Sequence, residues 1–262
     1  MACENRQMKS IIDFDLLRIE MSGKTFPRLK KSSGKSPDEI VGSLLYERLS
    51  AVCKGDVFWQ YKCFNSLYDR HLDADGEIVK RLLFEFPTVL FLFTSVKSID
   101  ARLLVADIVS DRYCNTADIL AVEDGFFNII DVKMRNLGKN DQPPNIISAY
   151  KLAQLCAKMI DNEDFDVFTI DYFGVDWRLI GDSLVCEDAH HANLFKANPS
   201  SLYINWAAAM QIQFHVSECD QSFAGGRHEW AKSYLRHFVE EARARVKYMD
   251  NKYIAPFVKY VG

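Results

Sequence analysis

One segment constrains the fold more than any other part of the chain. Residues 115–136 read NTADILAVEDGFFNIIDVKMRN, in which an apolar run at Ile119–Val122 precedes Asp124-Gly125 and a second run follows at Phe126–Val132. An Asp-Gly pair between two such runs favours a two-residue turn, because both turn positions need positive φ angles. The segment therefore predicts two antiparallel strands joined by a tight turn.

Three charged residues on this predicted hairpin are candidates for chemistry. Asp131 and Lys133 are two residues apart on one strand and must point to the same face. Asp118 begins the partner strand, and a modest register shift or bend would bring its carboxylate beside Asp131. Two carboxylates in contact repel each other, and oxygen ligands of this kind suit Mg²⁺. Lys133 could then stabilise or deprotonate an attacking water, or neutralise charge on a pentavalent phosphorus.

The same spacing has a structural alternative. Asp118 could simply end a strand, and Asp131 could pair with Lys133 at the surface. So loose a pattern recurs by accident, and the hairpin alone therefore leaves both interpretations open.

The rest of the chain alternates helical and strand patterns. Helical patterns occur at Pro37–Ser50, Ser148–Ile160 and Glu229–Met249. Strand patterns occur at Phe165–Val175, Met210–Val216 and Trp177–Cys186, the last with a turn signal at Gly181-Asp182. Interleaved helices and strands predict an α/β fold with a mixed β-sheet. No repeat or long linker divides the 262 residues, so we expect a single domain over 1–262.

Charge is unevenly distributed around a net value of −4. Ser22–Ser36 contains lysines and an arginine but no acid, and its Gly, Pro and Ser residues predict a flexible basic arm at about 22–36. Between Asp161 and Asp188, Arg178 is the only base among many acids, a pattern typical of a solvated surface. The net charge excludes a simple polycation that coats nucleic acid, but not a locally basic face.

The cysteines and the N-terminus bear on location. The seven cysteines are scattered without a CxxC pair, which fits a reducing compartment better than a disulfide framework or a zinc site. The first residues are polar, and the most apolar run, Leu82–Phe93, is interrupted by Glu85 and Pro87. We therefore expect a cytoplasmic protein with no membrane partner.

Longer blocks around the hairpin carry a resemblance. Asp118 followed by Asp131-Val132-Lys133 resembles the PD-(D/E)XK nuclease motif. The blocks that resemble type II restriction endonucleases of the HincII family are NTADIL (115–120), DVK (131–133), RN (135–136), PNIISAYKLAQ (144–154), CAKMIDN (156–162), LYINWAAAMQIQFHV (202–216) and EWAKSYL (229–235). The resemblance runs from about Pro87 to Val239, and residues 1–80 resemble the family only loosely.

The resemblance implies a fold and a chemistry. The fold would be a restriction-endonuclease-like mixed β-sheet flanked by helices. Asp118 and Asp131 would bind Mg²⁺ together with the backbone carbonyl of Val132, and Lys133 would be the catalytic lysine. In-line attack of water would leave a 5′-phosphate on blunt ends.

The resemblance also implies partners. The substrate would be double-stranded DNA carrying GT-pyrimidine-purine-AC, with GTTAAC as a narrower variation, and a palindromic site requires a homodimer with one active site per strand. The enzyme would work in a bacterial cytoplasm, with a cognate DNA methyltransferase as a functional companion and not as a bound subunit.

Five residues would contact DNA by the same resemblance. Gln142 would insert between flanking bases, Asn145 would read the central base pairs, and Tyr203 and Asn205 would approach the outer ones. Lys97 would bring a cation to the DNA.

Four of these five residues also have a purely structural interpretation. Asn145 could be a helix N-cap, Gln142 a polar loop residue, and Tyr203 and Asn205 ordinary strand residues. Gln211 and Gln213 look like the polar face of a strand, and His190-His191 like solvated loop histidines.

Three positions depart from the family pattern. Asp141 places a carboxylate beside the expected DNA backbone, and Pro143 stiffens the loop after Gln142, so flanking-base preference or insertion depth would differ. Met134 replaces a small polar residue next to Lys133, and the sequence offers no physical account of its effect.

Two other functions fit parts of the sequence. A repair or junction-resolving nuclease of the same superfamily would prefer mismatched or branched DNA. A sequence-specific DNA-binding protein that never cleaves would use Gln142, Asn145, Tyr203 and Asn205 alone.

Overall fold

A computed structural model describes residues 13–27, 37–59, 88, 118–139, 142–163 and 165–261, and elements are numbered within these residues. The helices are α1 (Phe14–Met21), α2 (Pro37–Val52), α3 (Ala149–Asn162) and α4 (Arg227–Met249). The strands are β1 (Thr25–Pro27), β2 (Asp56–Trp59), β3 (Ile119–Glu123), β4 (Phe126–Asn136), β5 (Asn145–Ser148), β6 (Phe168–Ile180), β7 (Ser183–Asn193), β8 (Ile204–Asn205) and β9 (Gln211–Gln213). A π-helical turn, Asp250–Ile254, follows α4, and 3₁₀ turns lie at Leu194–Lys196, Pro199–Ser201, Val216–Glu218 and Val258–Tyr260.

The strands form two sheets. The larger sheet has six strands in the order β1-β7-β6-β4-β3-β2, in which β4 and β6 are parallel and every other neighbouring pair is antiparallel. The smaller sheet has three antiparallel strands in the order β5-β9-β8. The predicted α/β class with a mixed sheet flanked by helices is confirmed.

The predicted hairpin supplies two adjacent strands of the larger sheet, β4 at its centre and β3 beside it. β3 and β4 pair in the register Ile119↔Ile130 to Glu123↔Phe126, and the turn between them is Asp124-Gly125. Both turn residues have positive φ, 50° and 74°, as a two-residue turn of this kind requires. The second predicted turn, Gly181-Asp182, joins β6 to β7 with Gly181 at φ 58°.

The two faces of β4 pack into different cores. Phe127 and Ile129 face a core shared with α3, α4 and the smaller sheet, whereas Ile130 and Val132 face a core shared with α1 and α2. All four side chains are buried, which explains why β4 is almost continuously apolar before Asp131. Asp131 and Lys133 therefore lie on the α3 and α4 face, just beyond its apolar part.

The helical patterns are confirmed, with small changes at their ends. Helix α3 begins after Ser148, whose side chain accepts a hydrogen bond from the backbone N–H of Lys151 at 3.4 Å. The N-cap is thus Ser148, and the interpretation of Asn145 as a plain helix N-cap is wrong. The stripe on α4 places Trp230 and Tyr234 fully inside the first core.

The strand predicted over Met210–Val216 is shorter than its alternating pattern indicates. Ala209 and Met210 have positive φ angles of 52° and 56°, so they belong to the turn that leads from β8 into β9. Val216 already begins a 3₁₀ turn. Local backbone geometry at both ends therefore limits the strand to Gln211–Gln213.

The acidic region is not a single solvated surface. Asp171 is 1% exposed, and its carboxylate bonds to His191 at 2.7 Å and to Asn193 at 2.9 Å. His190 lies 3.3 Å from Asp176. Because both histidines lie on β7 beside β6, the prediction of solvated loop histidines is wrong, and so is the solvated interpretation of Asp171.

The described part of the basic arm is ordered. β1 pairs with β7 through Thr25↔Val185 and Pro27↔Ser183, while residues 28–36 lie outside the described residues. The prediction of a flexible arm is therefore wrong for Thr25–Pro27, which form a strand of the larger sheet. Among the residues that the structure describes, no helix has the length and apolar composition needed to cross a membrane.

Candidate active site

The open end of the hairpin brings the two candidate carboxyl groups into contact. The paired register of the hairpin ends at Ile119↔Ile130, and Asp118 lies in a bend directly before β3, where its backbone N–H donates to the carbonyl of Ile130 at 2.9 Å. The backbone N–H of Val132 donates to Asp118 Oδ2 at 2.7 Å and fixes that carboxylate at the end of the strand. The bend at Asp118, one of the two possibilities considered from the sequence, therefore accompanies the hydrogen bond between its carboxyl group and that of Asp131.

The environment of Asp118 disfavours its charged form. Burial raises the pKa of Asp118 well above its ordinary value, and the negative charge of Asp131 and a hydrogen bond between the two carboxyl groups raise it further. The Val132 N–H and the charge of Lys133 lower this pKa but do not outweigh the other causes. Burial and the neighbouring Asp131 therefore favour the protonated form of Asp118.

Lys133 completes the group. Its Nζ lies 2.7 Å from Asp131 Oδ2, and the two side chains are only 19% and 13% exposed. The alternative interpretation placed this ion pair at the surface. It is wrong on that point, because both side chains are largely shielded from solvent. The ammonium group stands beside the carboxylate pair on the same face of β4.

The donor set fits a hard divalent cation. Two carboxylates in direct contact, one with a raised pKa, form an oxygen-only site that a divalent cation would stabilise. Within the described parts of the chain, no group of three or more His, Cys, Asp or Glu side chains could hold a metal ion. A cation at Asp118 and Asp131 would therefore complete its coordination with backbone, water or phosphate oxygens, as Mg²⁺ commonly does.

The neighbouring strand β6 contributes residues that the sequence did not indicate. Tyr172 pairs with Asp131 and Gly174 pairs with Lys133 in the parallel register of β4 and β6. Burial, followed by the charge of Asp131, raises the pKa of Tyr172 well above its ordinary value, so the phenol stays neutral. Parallel pairing joins segments that are distant in sequence, and no local pattern in either strand could have predicted these contacts.

Gly174 lets a further segment approach the site. A Cβ atom built on Gly174 would lie 2.6 Å from Cβ of Val216, which is closer than packed side chains allow. The 3₁₀ turn Val216–Glu218 therefore lies against β6 directly beside the position of Lys133. Since this turn follows β9 by two residues, the smaller sheet is tied to the edge of the active site.

Met134 and Arg135 point in opposite directions beyond Lys133. Met134 packs against the core of α1 and α2, so it does not enter the face that carries Asp131 and Lys133. This placement gives the missing account of Met134. Arg135 lies on the active-site face and bonds to Glu218 at 3.0 Å and to Ser217 at 3.2 Å.

The smaller sheet brings together two of the residues predicted to contact DNA. Asn145 on β5 pairs with Gln213 on β9, and Asn205 on β8 also bonds to Gln213. Tyr203 is 63% exposed and precedes β8. The sequence pattern predicts only a polar strand face at Gln213. In the structure, the amide side chains of Asn145, Gln213 and Asn205 form one hydrogen-bonded row.

The remaining predicted contacts are less connected. Gln142 is exposed, and Pro143 is partly exposed, in the segment before β5. Lys97 and Asp141 lie outside the described residues. The described structure thus brings Asp118, Asp131 and Lys133 together, and separately Asn145 with Asn205.

The chain is similar to known restriction endonucleases. The family described as "Restriction endonuclease HincII" matches residues 18–261. The chain is 47% identical over 235 residues to the type II restriction enzyme HindII of Haemophilus influenzae strain Rd, covering 90% of this chain and 91% of the relative. It has the same identity and coverage with the type II restriction enzyme HincII of Haemophilus influenzae. The family match begins at residue 18 and therefore includes most of residues 1–80, in which the sequence motifs gave only a loose resemblance. The chain therefore belongs to the HincII family of type II restriction endonucleases, which are site-specific DNA endonucleases.

Proposed function

We propose that this endonuclease hydrolyses double-stranded DNA at GT-pyrimidine-purine-AC, using Mg²⁺ and leaving blunt ends with 5′-phosphates. The observation that carries the proposal is the contact between Asp118, Asp131 and Lys133 on one hairpin. These residues provide an anionic oxygen site and a cation on one face, as hydrolysis of a phosphodiester requires.

The residues of the chain have distinct roles in the proposed reaction. Asp118 and Asp131 hold the metal ion, together with the carbonyl of Val132. The ion, when bound, supplies positive charge to the scissile phosphate and acidifies water. Lys133 orients and deprotonates the attacking water, or neutralises the charge that develops on the phosphate. The N–H of Val132 keeps Asp118 in place, since it donates to the same carboxylate at 2.7 Å.

The assembly follows from the symmetry of the proposed site. A palindromic duplex presents two equivalent scissile bonds, so we propose a homodimer with one active site per strand. Each subunit would be a single domain over 1–262. Asn145 would contact the central base pairs, Tyr203 and Asn205 the outer ones, and Lys97 the DNA backbone.

Gln142 is proposed to insert between bases that flank the site. The exposure of Gln142 supports this role, and the stiff Pro143-Pro144 pair that follows would limit how far the side chain moves. The carboxylate of Asp141 would oppose close approach of a phosphate. We expect flanking-base preference to differ from that of relatives with neutral residues here.

The proposed setting is the cytoplasm of a bacterium. The relatives named above are bacterial, and the described cysteines form no disulfide with one another, as a reducing compartment favours. A cognate DNA methyltransferase would protect the host's own sites as a separate enzyme.

Digestion of a phage genome tests the proposed site. We expect the purified protein with Mg²⁺ to give discrete fragments, and sequencing of the fragment ends to show blunt cuts between the pyrimidine and the purine of GT-pyrimidine-purine-AC. A smear, or no cleavage with Mg²⁺, would contradict the proposal. Discrete fragments with a different end sequence would support site-specific cleavage but contradict the proposed recognition sequence.

A further inference from the structure

Gln213 lies between two side chains proposed to read bases. Its Nε2 donates to Asn145 Oδ1 at 2.8 Å, and its Oε1 accepts from Asn205 Nδ2 at 2.9 Å. The three residues come from β5, β9 and β8, so the row crosses the whole smaller sheet. Gln213 therefore connects one proposed DNA contact to the other.

A backbone turn fixes the direction of this row. Asn205 Oδ1 accepts from the backbone N–H groups of Ala207 at 3.1 Å and Ala208 at 3.2 Å. A backbone N–H can only donate, so the atom facing this turn must be the oxygen of Asn205. Asn205 consequently turns its NH₂ group towards Gln213.

The direction passes from Asn205 to Asn145. Gln213 meets the NH₂ group of Asn205 with its oxygen, which leaves the Gln213 NH₂ group facing Asn145. Asn145 must therefore accept this hydrogen bond with its Oδ1 atom. Asn145 is exposed, and the described residues give its Nδ2 no hydrogen-bond partner, so this group is available to a ligand.

We infer that Gln213 is a positioning residue for sequence recognition, which holds Asn145 so that its NH₂ group donates to an acceptor on a base edge. In the major groove, both adenine and guanine present N7 as a hydrogen-bond acceptor. A donor held in this way can therefore bind either purine. This inference rests on the proposed contact of Asn145 with the central base pairs.

Replacing Gln213 by glutamate reverses the row without changing its shape. The carboxylate of a Gln213→Glu variant still accepts from Asn205, but it cannot donate to Asn145. Asn145 then gives its NH₂ group to the carboxylate and turns its oxygen towards the base. An oxygen facing N7 forms no hydrogen bond with it and is repelled, so removal of N7 no longer slows cleavage by the variant.

The test compares cleavage rates on duplexes in which 7-deazapurine replaces one purine of the site at a time. For the unaltered enzyme, we expect removal of N7 from the central purine to slow single-turnover cleavage about tenfold. Gln213→Glu should abolish this central effect and keep the effects at the outer purines. Gln211→Glu is the matched control, since it adds the same charge on β9 outside the row, and it should keep every effect.

Each outcome decides between two failures. If Gln213→Glu keeps the central effect, or slows all substrates equally, the positioning role is wrong. If Asn145→Ala also keeps the central effect, the proposed base contact of Asn145 is wrong, and the inference falls with it. Gln213→Met, which is neutral and has a similar length, should also lose the central effect, and it replaces Gln213→Glu should thermal melting show that the glutamate variant is unfolded.

Discussion

Replacing Lys133 by alanine is expected to slow DNA cleavage about 10³-fold while DNA binding is retained. The Nζ of Lys133 lies 2.7 Å from Asp131 Oδ2, so the substitution removes the cation beside the carboxylate pair and leaves the pair itself in place. Binding to the site depends on other contacts. Single-turnover cleavage and gel-shift titration in Ca²⁺ on the same duplex measure the two effects separately.

Two further variants sharpen this prediction. Lys232→Ala removes an exposed lysine from α4 and should leave cleavage unchanged. Lys133→Arg keeps the positive charge but cannot deprotonate water, because arginine stays protonated in proteins. Activity of the arginine variant near that of the unaltered enzyme would assign Lys133 to charge neutralisation, whereas activity near that of Lys133→Ala would assign it to proton transfer. Full activity of Lys133→Ala would remove Lys133 from the mechanism.

Replacing Asp118 by asparagine is expected to abolish cleavage and to stabilise the metal-free protein. An asparagine oxygen can still accept from the Val132 N–H, but the repulsion with Asp131 is gone. We expect the free energy of unfolding at neutral pH to rise by about 1 to 2 kcal/mol. That change would raise the melting temperature in a chelator by about 2–4 °C per kcal/mol. Mg²⁺ should stabilise the unaltered protein and not the variant.

The gain in stability expected for Asp118→Asn depends on pH. The pKa of Asp118 is higher in the folded protein than in the unfolded chain, so folding favours the protonated carboxyl group. Its contribution to stability is full below the unfolded-state pKa and is lost as pH rises through the folded-state pKa. The advantage of Asp118→Asn should therefore appear as pH rises through this range.

A control on the same hairpin separates the effect from a general gain. Asp124→Asn makes the same substitution in the turn, where asparagine also tolerates the φ of 50°, and should leave stability nearly unchanged. An Asp118→Asn protein that melts below the unaltered protein in chelator would contradict the account of the carboxylate pair.

Local chemistry explains which parts of the site were predictable from the sequence. The Asp124-Gly125 turn fixes the register of β3 and β4, and this register brings Asp118, just before β3, to the end of the hairpin where Asp131 lies. The shared face of Asp131 and Lys133 follows from the two-residue repeat of a strand. These features depend on neighbours in the sequence, so the sequence alone could indicate them.

Non-local pairing explains what the sequence could not show. Gly174 and Tyr172 reach the site only through the parallel register of β4 and β6. Gln213 joins Asn145 and Asn205 because three short strands meet in one sheet, although its alternation with Ile212 indicated only a polar face. Likewise, Asp171 is buried on β6, where β7 supplies Asn193 opposite it and His191 as a second hydrogen-bond partner, whereas composition alone indicated a solvated acid.

Cleavage of a duplex with a single site tests the central claim most directly. The duplex carries one GTCGAC, and a control duplex carries the same bases in a permuted order. The account predicts that the enzyme with Mg²⁺ cuts both strands of the first duplex between the central C and G, leaves the control intact, and cuts neither duplex in a chelator. Equal cleavage of both duplexes, or no cleavage of the first with any divalent cation, would contradict it.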